Sequence, residues 1–109
     1  MSEKMLKFVD IGQQNPPKRD ISDRKDDFDE IYQEFLKDRA VQQSSRCSQC
    51  GVPFCQVHCP LSNNIPDWLK LTAEGRYEEA YQLSQSTNNM PEVCGRICPQ
   101  DRLCEGNCV

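Results

Sequence analysis

The sequence predicts an all-α domain in which short helices surround metal centres, and three observations lead to this prediction. No segment alternates apolar and polar residues in the way that a half-buried strand does. The 109-residue chain is 37% hydrophobic and 28% charged, with a mean hydropathy of -0.76, so it can bury little apolar surface. Eight cysteines could supply the crosslinks that so small and polar a domain needs.

The N-terminal part of the sequence predicts an arm followed by one long helix. Residues 1–20 include Pro16 and Pro17, which discourage regular structure, and we expect them to form an extended arm that lies on another surface. Residues 22–45 are predicted to form the longest helix, with Ser22 as its N-cap. Apolar residues recur there at helical spacing, which predicts one continuous packing stripe. The stripe consists of Phe28, Ile31, Tyr32, Phe35, Leu36 and Ala40.

Two helices are predicted between the cysteine groups, and two shorter elements beyond them. Asn64 should cap a helix that continues to about residue 74, where Gly75 ends it. A third helix over about 76–86 would complete an αα-hairpin. A short helix around 92–98 and a turn around 99–104 should then hold most of the second cysteine group. Residues 21–109 are expected to form one domain.

The composition and the N-terminus exclude several classes of protein. The first ten residues, MSEKMLKFVD, lack the apolar segment and the cleavage site of a signal peptide. No stretch approaches the roughly 20 apolar residues of a membrane span. We therefore expect a cytoplasmic location, where clustered cysteines more often bind metals than form disulfides. The net charge of -4 argues against nucleic-acid binding, so neither a nucleic acid nor a membrane is an expected partner.

The cysteines form two compact groups with the spacings C-x2-C-x4-C-x3-C-P and C-x3-C-P-x4-C-x3-C. The groups are Cys47, Cys50, Cys55, Cys59 and Cys94, Cys98, Cys104, Cys108. Four thiolates in each group match the ligands of two 4Fe–4S clusters, which carry electrons. Zinc sites of four cysteines usually pair two C-x2-C knuckles, and only one such knuckle occurs here. Zinc is therefore disfavoured but stays an alternative, as do disulfides and free thiols.

The cysteines that precede proline indicate an exchange of ligands between the two groups. Cys59 and Cys98 are each followed by proline. In the bacterial ferredoxin run, the cysteine before proline ligates the other cluster. We therefore predict that Cys59 joins the second group and that Cys108 is the natural candidate to return to the first.

Several residues near the cysteines are candidates for smaller roles, and no catalytic centre is predicted. His58 is expected to lie near a cluster or in solvent rather than to bind iron, because the cysteines already complete the ligand count. The glycines near the ligands would either let backbone N–H groups approach sulfur or serve turn geometry: Gly51, Gly95 and Gly106. The nearby arginines would either offset cluster charge or be ordinary surface residues: Arg46, Arg96 and Arg102. GxGxxG and P-loop motifs are absent, so this chain alone should transfer electrons without transforming a substrate.

Two runs resemble a known family, namely RCSQCGVPFCQVHCPLSNNIPDWLKL over 46–71 and NNMPEVCGRICPQDRLCEGNCV over 88–109. They are similar to the N-terminal iron–sulfur domain of the small (beta) subunit of bacterial NADPH-dependent glutamate synthase. The same alpha-helical ferredoxin-like module occurs in dihydropyrimidine dehydrogenase. The resemblance covers nearly the whole chain and implies short helices wrapped around two 4Fe–4S clusters.

The resemblance also implies ligands, cofactors and partners. It assigns Cys47, Cys50, Cys55 and Cys108 to one cluster, and Cys59, Cys94, Cys98 and Cys104 to the other. In that family NADPH reduces an FAD on the small subunit, and electrons pass through the clusters to an FMN on the large (alpha) subunit. The large subunit then forms glutamate from glutamine and 2-oxoglutarate.

The family's FAD and NADPH domains follow the matching region, so they would lie downstream of this chain, which looks truncated at Val109. On this view the chain is one part of an oxidoreductase. The alternatives are the cluster domain of another flavin-dependent oxidoreductase, of the dihydropyrimidine dehydrogenase type, and a zinc-stabilised interaction module.

Overall fold

Residues 4–109 are described by a computed structural model, and they form six α-helices joined by loops and 3-10 turns. The α-helices are α1 (Ile21–Arg24), α2 (Lys37–Ser44), α3 (Phe54–His58), α4 (Ile65–Ala73), α5 (Tyr77–Gln85) and α6 (Pro91–Ile97). The 3-10 turns are Lys7–Val9, Gln100–Arg102 and Glu105–Asn107. No β-strand occurs within these described residues, where Lys18 and Tyr32 form an isolated antiparallel bridge. The all-α prediction is therefore confirmed for this part of the chain.

The predicted long helix over 22–45 is wrong in its middle. Helix α1 ends at Arg24 and α2 begins at Lys37, and the residues between them form turns and extended chain. The N-cap position of α1 is occupied by Asp20, not Ser22, and its side chain makes no capping hydrogen bond. Phe28 is fully exposed, so the predicted stripe does not form one packed face.

Two kinds of hydrogen bond replace the helix between α1 and α2. The backbone N–H of Arg19 donates to Ile31 (2.8 Å), and that of Gln33 donates to Pro17 (2.7 Å), so this segment pairs with the chain that precedes α1. The Asp27 carboxylate accepts a bond from its near neighbour Asp29 N–H (3.0 Å). Acidic side chains that bond to nearby backbone N–H groups compete with helix formation. Helical periodicity alone therefore overestimated the length of the helix.

The predicted αα-hairpin is confirmed, with α4 packed against α5 and Gly75 between them. Gly75 has a φ of +79°, a left-handed conformation that glycine adopts without the steric penalty of a Cβ. Ala73 of α4 and Ala80 of α5 are buried, as is Pro66 in the first turn of α4. Small residues at this position let two short helices approach closely, and α2 packs on the same α4.

The N-terminal segment lies along the end of α2 and the start of the first cysteine group. Its first three residues, which belong to the predicted arm over 1–20, lie outside the described part of the chain. The backbone N–H groups of Leu6 and Lys7 donate to the carbonyls of Cys47 and Ser45, both at 2.9 Å. Arg46 Nε donates to the Ile11 carbonyl at 2.8 Å. The segment thus fixes the backbone that leads into the first predicted ligand.

No helix among residues 4–109 is both long and apolar enough to cross a membrane.

Many large apolar side chains of the described residues are exposed, and several of them flank cysteines. These include Val52, Phe54, Val57, Leu61, Val93 and Ile97. Few side chains of the described residues are fully buried, in agreement with the low hydrophobic content of the sequence.

Candidate metal centre

All eight cysteines are free thiols, and none is paired in a disulfide. Cys94 and Cys108 are exposed, whereas the other six are half-buried. Half-buried thiols near the surface are available for metal binding without unfolding of the chain. The thiolate form is the one that binds a metal.

The first cysteine group is positioned by the end of α2 and by α3. Cys47 follows α2, and Leu6 holds its carbonyl as described above. Cys55 lies inside α3, and Cys59 is the residue that ends α3, with its N–H donated to the Cys55 carbonyl at 3.1 Å. The short α3 therefore presents two of the four thiols, one helical turn apart.

The two Cys-Pro pairs end their helices in the same way. Cys59 ends α3 with a ψ of 125°, and Cys98 ends α6 with a ψ of 130°. A residue before proline is pushed from the helical to the extended region by the proline ring. Each proline therefore turns the chain away directly after a cysteine.

A 3-10 turn positions the last two cysteines. Cys104 and Cys108 lie at the two ends of the turn Glu105–Asn107. This turn packs against α3 of the first group. Gly106 allows the turn to form closely, because an added Cβ would collide with the carbonyl oxygen of Asp101. Cys104 and Cys108 thus lie close to α3, which carries two thiols of the first cysteine group.

Electrostatics show which thiols lie near one another. Burial raises the pKa of the Cys55 thiol, and the nearby thiols of Cys47, Cys108 and Cys104 raise it further. Burial likewise raises the pKa of Cys104, with smaller contributions from Glu105 and Cys98. Repulsion between thiolates opposes ionisation of each of them. A cation that binds several of these sulfurs would relieve the repulsion.

The structure brings together part of each predicted ligand set. Cys55 interacts electrostatically with Cys47 and Cys108 of the first set and also with Cys104 of the second set, and Cys104 interacts with Cys98 of its own set. These interactions therefore do not separate the thiols into the two predicted sets. Cys50 lies in the loop before α3, and Cys94 lies on the exposed surface of α6. Within residues 4–109, no three Cys, His, Asp or Glu side chains are arranged to hold a single metal ion. The assignment of all eight ligands stays a prediction.

The donor chemistry fits an iron–sulfur cluster. Clusters of this type are held by cysteine thiolates, one to each iron of the cube, so the four sulfurs surround the cluster rather than meet at one atom. Unpaired thiols from both sequence groups act on Cys55 of α3; those of Cys47 and Cys104 are half-buried, and that of Cys108 is exposed. The residues that would hold the group are the cysteines, which complete the ligand count without His58. The Nδ1 of His58 lies 2.9 Å from the Phe54 carbonyl within α3.

Gln49 is a residue near the site that the sequence did not reveal. It lies between Cys47 and Cys50, and both its backbone N–H (3.5 Å) and its side-chain Nε2 (3.3 Å) donate to the Cys47 sulfur. Its φ of +54° is left-handed, which is uncommon for a residue other than glycine. A position between two ligands was the available sequence signal, but it does not say which way a side chain points.

Two of the arginines near the cysteines, Arg46 and Arg96, have partners other than the thiols. Arg96, between Cys94 and Cys98, forms an ion pair with Glu30 of the segment between α1 and α2. The hydrogen bond from Arg96 lowers the pKa of the Glu30 carboxyl. Arg96 is therefore neutralised by a residue that is distant in sequence, and the same pair fastens that segment to α6.

Comparison with known proteins identifies a family over most of the chain. The family described as dihydropyrimidine dehydrogenase domain II, 4Fe–4S cluster, matches residues 24–109. The small chain of NADPH glutamate synthase from Azospirillum brasilense is 68% identical over 108 residues, which are 99% of this chain and 22% of the relative. The corresponding small chain of Escherichia coli is 52% identical over 109 residues, 100% of this chain and 23% of the relative. AegA of Escherichia coli, whose name is that of an oxidoreductase, is 50% identical over 95 residues, 86% of this chain and 14% of the relative.

These matches confirm the resemblance to glutamate synthase small chains that the cysteine-containing runs indicated. The chain spans about a fifth of the length of those small chains. The family match covers both cysteine groups and the helices between them. The chain therefore belongs to the 4Fe–4S cluster family of dihydropyrimidine dehydrogenase domain II.

Proposed function

We propose that this chain is the electron-transfer domain of a glutamate synthase small subunit and that it holds two 4Fe–4S clusters. Electrons from NADPH would reach an FAD on other parts of the same subunit, cross the clusters, and arrive at an FMN on the large subunit. The large subunit would use them to form glutamate from glutamine and 2-oxoglutarate. The location of such an enzyme would be the cytoplasm.

The observation that carries this proposal is the 68% identity, over 99% of the chain, to a glutamate synthase small chain. The match of residues 24–109 to a 4Fe–4S family supports the same chemistry. Eight free cysteines supply enough thiolates for two clusters with four ligands each. The chain covers only 22% of that relative, so the activity of the whole relative is not shown for this chain. FAD, NADPH and the large subunit are therefore parts of the proposal.

Each cysteine has a defined task in this proposal. Cys47, Cys50, Cys55 and Cys108 would hold one cluster, and Cys59, Cys94, Cys98 and Cys104 would hold the other. A 4Fe–4S cluster accepts and releases one electron at a time. The protein's residues supply the sulfur ligands, set their spacing through α3 and the turn Glu105–Asn107, and limit the access of water. Residues 21–109 would act as one domain, with 1–20 as an arm upon it.

The packing of α3 against the C-terminal turn supports the proposed exchange of ligands. The turn Glu105–Asn107, which lies between Cys104 and Cys108, packs against α3 although it is distant from α3 in sequence, and the thiols of both cysteines contribute to the raised pKa of Cys55. A cluster that joins Cys55 and Cys108 would also close the chain between the two cysteine groups. Such a crosslink restricts the unfolded chain in the same way as a disulfide does, which stabilises the fold.

A second candidate is the cluster domain of a different oxidoreductase. The 50% identity to AegA over 86% of the chain favours it, because similarity of this size is not confined to glutamate synthases. Both candidates use the same cysteines and differ in the electron acceptor. A zinc-stabilised interaction module is the candidate without electron transfer.

The experiment compares Cys98→Ala with the unchanged full-length small subunit, each combined with the large subunit under anaerobic conditions. We expect the variant to lose NADPH-driven glutamate formation from glutamine and 2-oxoglutarate. It should keep NADPH oxidation by ferricyanide, which accepts electrons directly from the flavin. The matched control is Ser48→Ala, which lies between two predicted ligands but supplies no thiolate.

Three outcomes would overturn parts of the proposal. Undiminished glutamate formation by a Cys98→Ala subunit that lacks the cluster of Cys98 would remove that cluster from the electron path. A failure of glutamine and 2-oxoglutarate to stimulate NADPH oxidation by the unchanged complex would favour the other oxidoreductase. Zinc without inorganic sulfide in the purified protein would favour the interaction module.

A further inference from the structure

The Cys47 sulfur receives two hydrogen bonds from a single neighbouring residue. Gln49 donates to it from the backbone N–H at 3.5 Å and from the side-chain Nε2 at 3.3 Å. The side chain is half-buried. Both donors approach the same atom, so the residue encloses one side of that sulfur.

The side-chain amide of Gln49 is held in place by a second bond. The same Nε2 donates to the Pro66 carbonyl at 2.7 Å, in the first turn of α4. An amide nitrogen has two N–H groups, so one can serve the carbonyl while the other serves the sulfur. The rotation of the amide is thereby fixed with a donor, rather than its oxygen, toward Cys47.

The backbone of Gln49 is also in an unusual conformation. Its φ of +54° places it in the left-handed region, which side chains with a Cβ seldom adopt. Uncommon backbone conformations persist where the surrounding structure holds them, and they concentrate at functional sites. Here the conformation directs the backbone N–H and the side chain of one residue toward one sulfur.

We propose that Gln49 is a positioning residue that raises the reduction potential of the cluster ligated by Cys47. This inference rests on the proposed function, because it requires Cys47 to be a ligand. One-electron reduction adds a negative charge that is shared by the ligating sulfurs, and N–H donors stabilise that added charge. Hydrogen bonds to cluster sulfurs are among the established determinants of cluster potential.

The contact with Pro66 extends the proposal to the αα-hairpin. The amide of Gln49 is held in position to donate to the Cys47 sulfur only while the first turn of α4 stays beside it. Movement of α4 would therefore weaken the bond to sulfur and lower the potential. Because α4 packs against both α2 and α5, the hairpin holds α4 in the position that the hydrogen bond from Gln49 to the Cys47 sulfur requires.

The test is a redox titration of the full-length subunit with reconstituted clusters, in which dithionite supplies the electrons and EPR follows each cluster. Gln49→Leu removes the side-chain donor and keeps the backbone N–H. We expect it to shift the midpoint potential of the cluster that Cys47→Ala abolishes to more negative values, while the other cluster is unchanged. Gln49→Glu, which places a negative charge there, should shift it further in the same direction.

The matched control is Gln56→Leu. Gln56 also lies beside a predicted ligand, Cys55, but its amide donates to Ser62 and Asn64 and not to sulfur. We expect this variant to leave both potentials unchanged. If Gln49→Leu does not assemble its cluster, Gln49→Asn is titrated in its place. Asn tolerates the left-handed conformation, but its shorter side chain withdraws the amide from the sulfur, so the same negative shift is expected.

Unchanged potentials in Gln49→Leu and Gln49→Glu, with full iron content, would overturn the proposal. Equal shifts in Gln49→Leu and Gln56→Leu would also overturn it, since they would indicate a general disturbance. Loss of the cluster in all Gln49 variants, with Gln56→Leu intact, would assign Gln49 a purely structural role. The proposed function fails separately, if the unchanged subunit itself contains no cluster.

Discussion

Asn63 joins the loop after the first cysteine group to both helices of the hairpin. Its Oδ1 accepts a bond from Trp68 Nε1 at 2.6 Å, and its Nδ2 donates to the Ser84 carbonyl and the Thr87 hydroxyl, both at 2.9 Å. Asn63→Ala removes all three bonds at once. Each is worth about 1 kcal/mol net in a partly buried setting, so we expect a loss of roughly 2–3 kcal/mol of stability.

The assay is urea unfolding of the protein with its clusters in place, followed by the fluorescence of Trp68. This residue is the single tryptophan of the chain, so the signal reports on the region that is perturbed. With a slope of about 1–3 kcal/mol per molar urea, the midpoint should fall by roughly 0.7–3 M. The conversion from free energy to midpoint requires reversible unfolding, so urea is kept to conditions in which the clusters are retained and dilution of the urea restores the starting signal.

The control for this change is Asn64→Ala, at the neighbouring position. The side chain of Asn64 accepts a bond from Gln56 at 2.9 Å and caps no backbone N–H of α4. Its loss should lower the midpoint by less than half as much. The reasoning is refuted if Asn63→Ala unfolds at the same urea concentration as the unchanged protein, or at the same concentration as Asn64→Ala.

Three further predictions concern other parts of the fold. Gly75→Ala forces a Cβ into a left-handed conformation and should lower stability by about 1–2 kcal/mol in the same urea assay, whereas Gly51→Ala, with open space around it and no positive φ, should have little effect. Glu30→Gln breaks the ion pair with α6 and should speed tryptic cleavage of the segment between α1 and α2, while Glu34→Gln should not; equal rates would show that the pair does not hold that segment. Cys108→Ala should remove the EPR signal of the cluster held by the first cysteine group, and loss of the other signal alone would disprove the exchange of ligands.

The features that local chemistry determines were predictable from the sequence. The hairpin was predicted with its ends within one or two residues, because apolar spacing and Gly75 act within a few residues along the chain. The end of α6 follows from the proline after Cys98, which acts on its immediate neighbour. Helix α3, over Phe54–His58, was not predicted. The candidate ligands were visible as residue types at fixed spacing.

The features that distant contacts determine were not predictable in the same way. Residues 25–36 have helical periodicity, but they pair with 17–19 and form an ion pair with α6. Both contacts involve residues outside the short stretch of sequence from which helical periodicity is judged, so the periodicity does not reveal them. Gln49 was missed for the same reason, since its role depends on the position of Pro66 in the folded chain.

The most direct test of the account is the content of iron, inorganic sulfide and zinc in the anaerobically purified protein. Two 4Fe–4S clusters require about eight iron atoms and about eight sulfide ions per chain, with no stoichiometric zinc. We expect that composition, and we expect Cys108→Ala to lower both iron and sulfide by about half. About two zinc ions per chain without sulfide, or iron and sulfide for only one cluster in the unchanged protein, would contradict it.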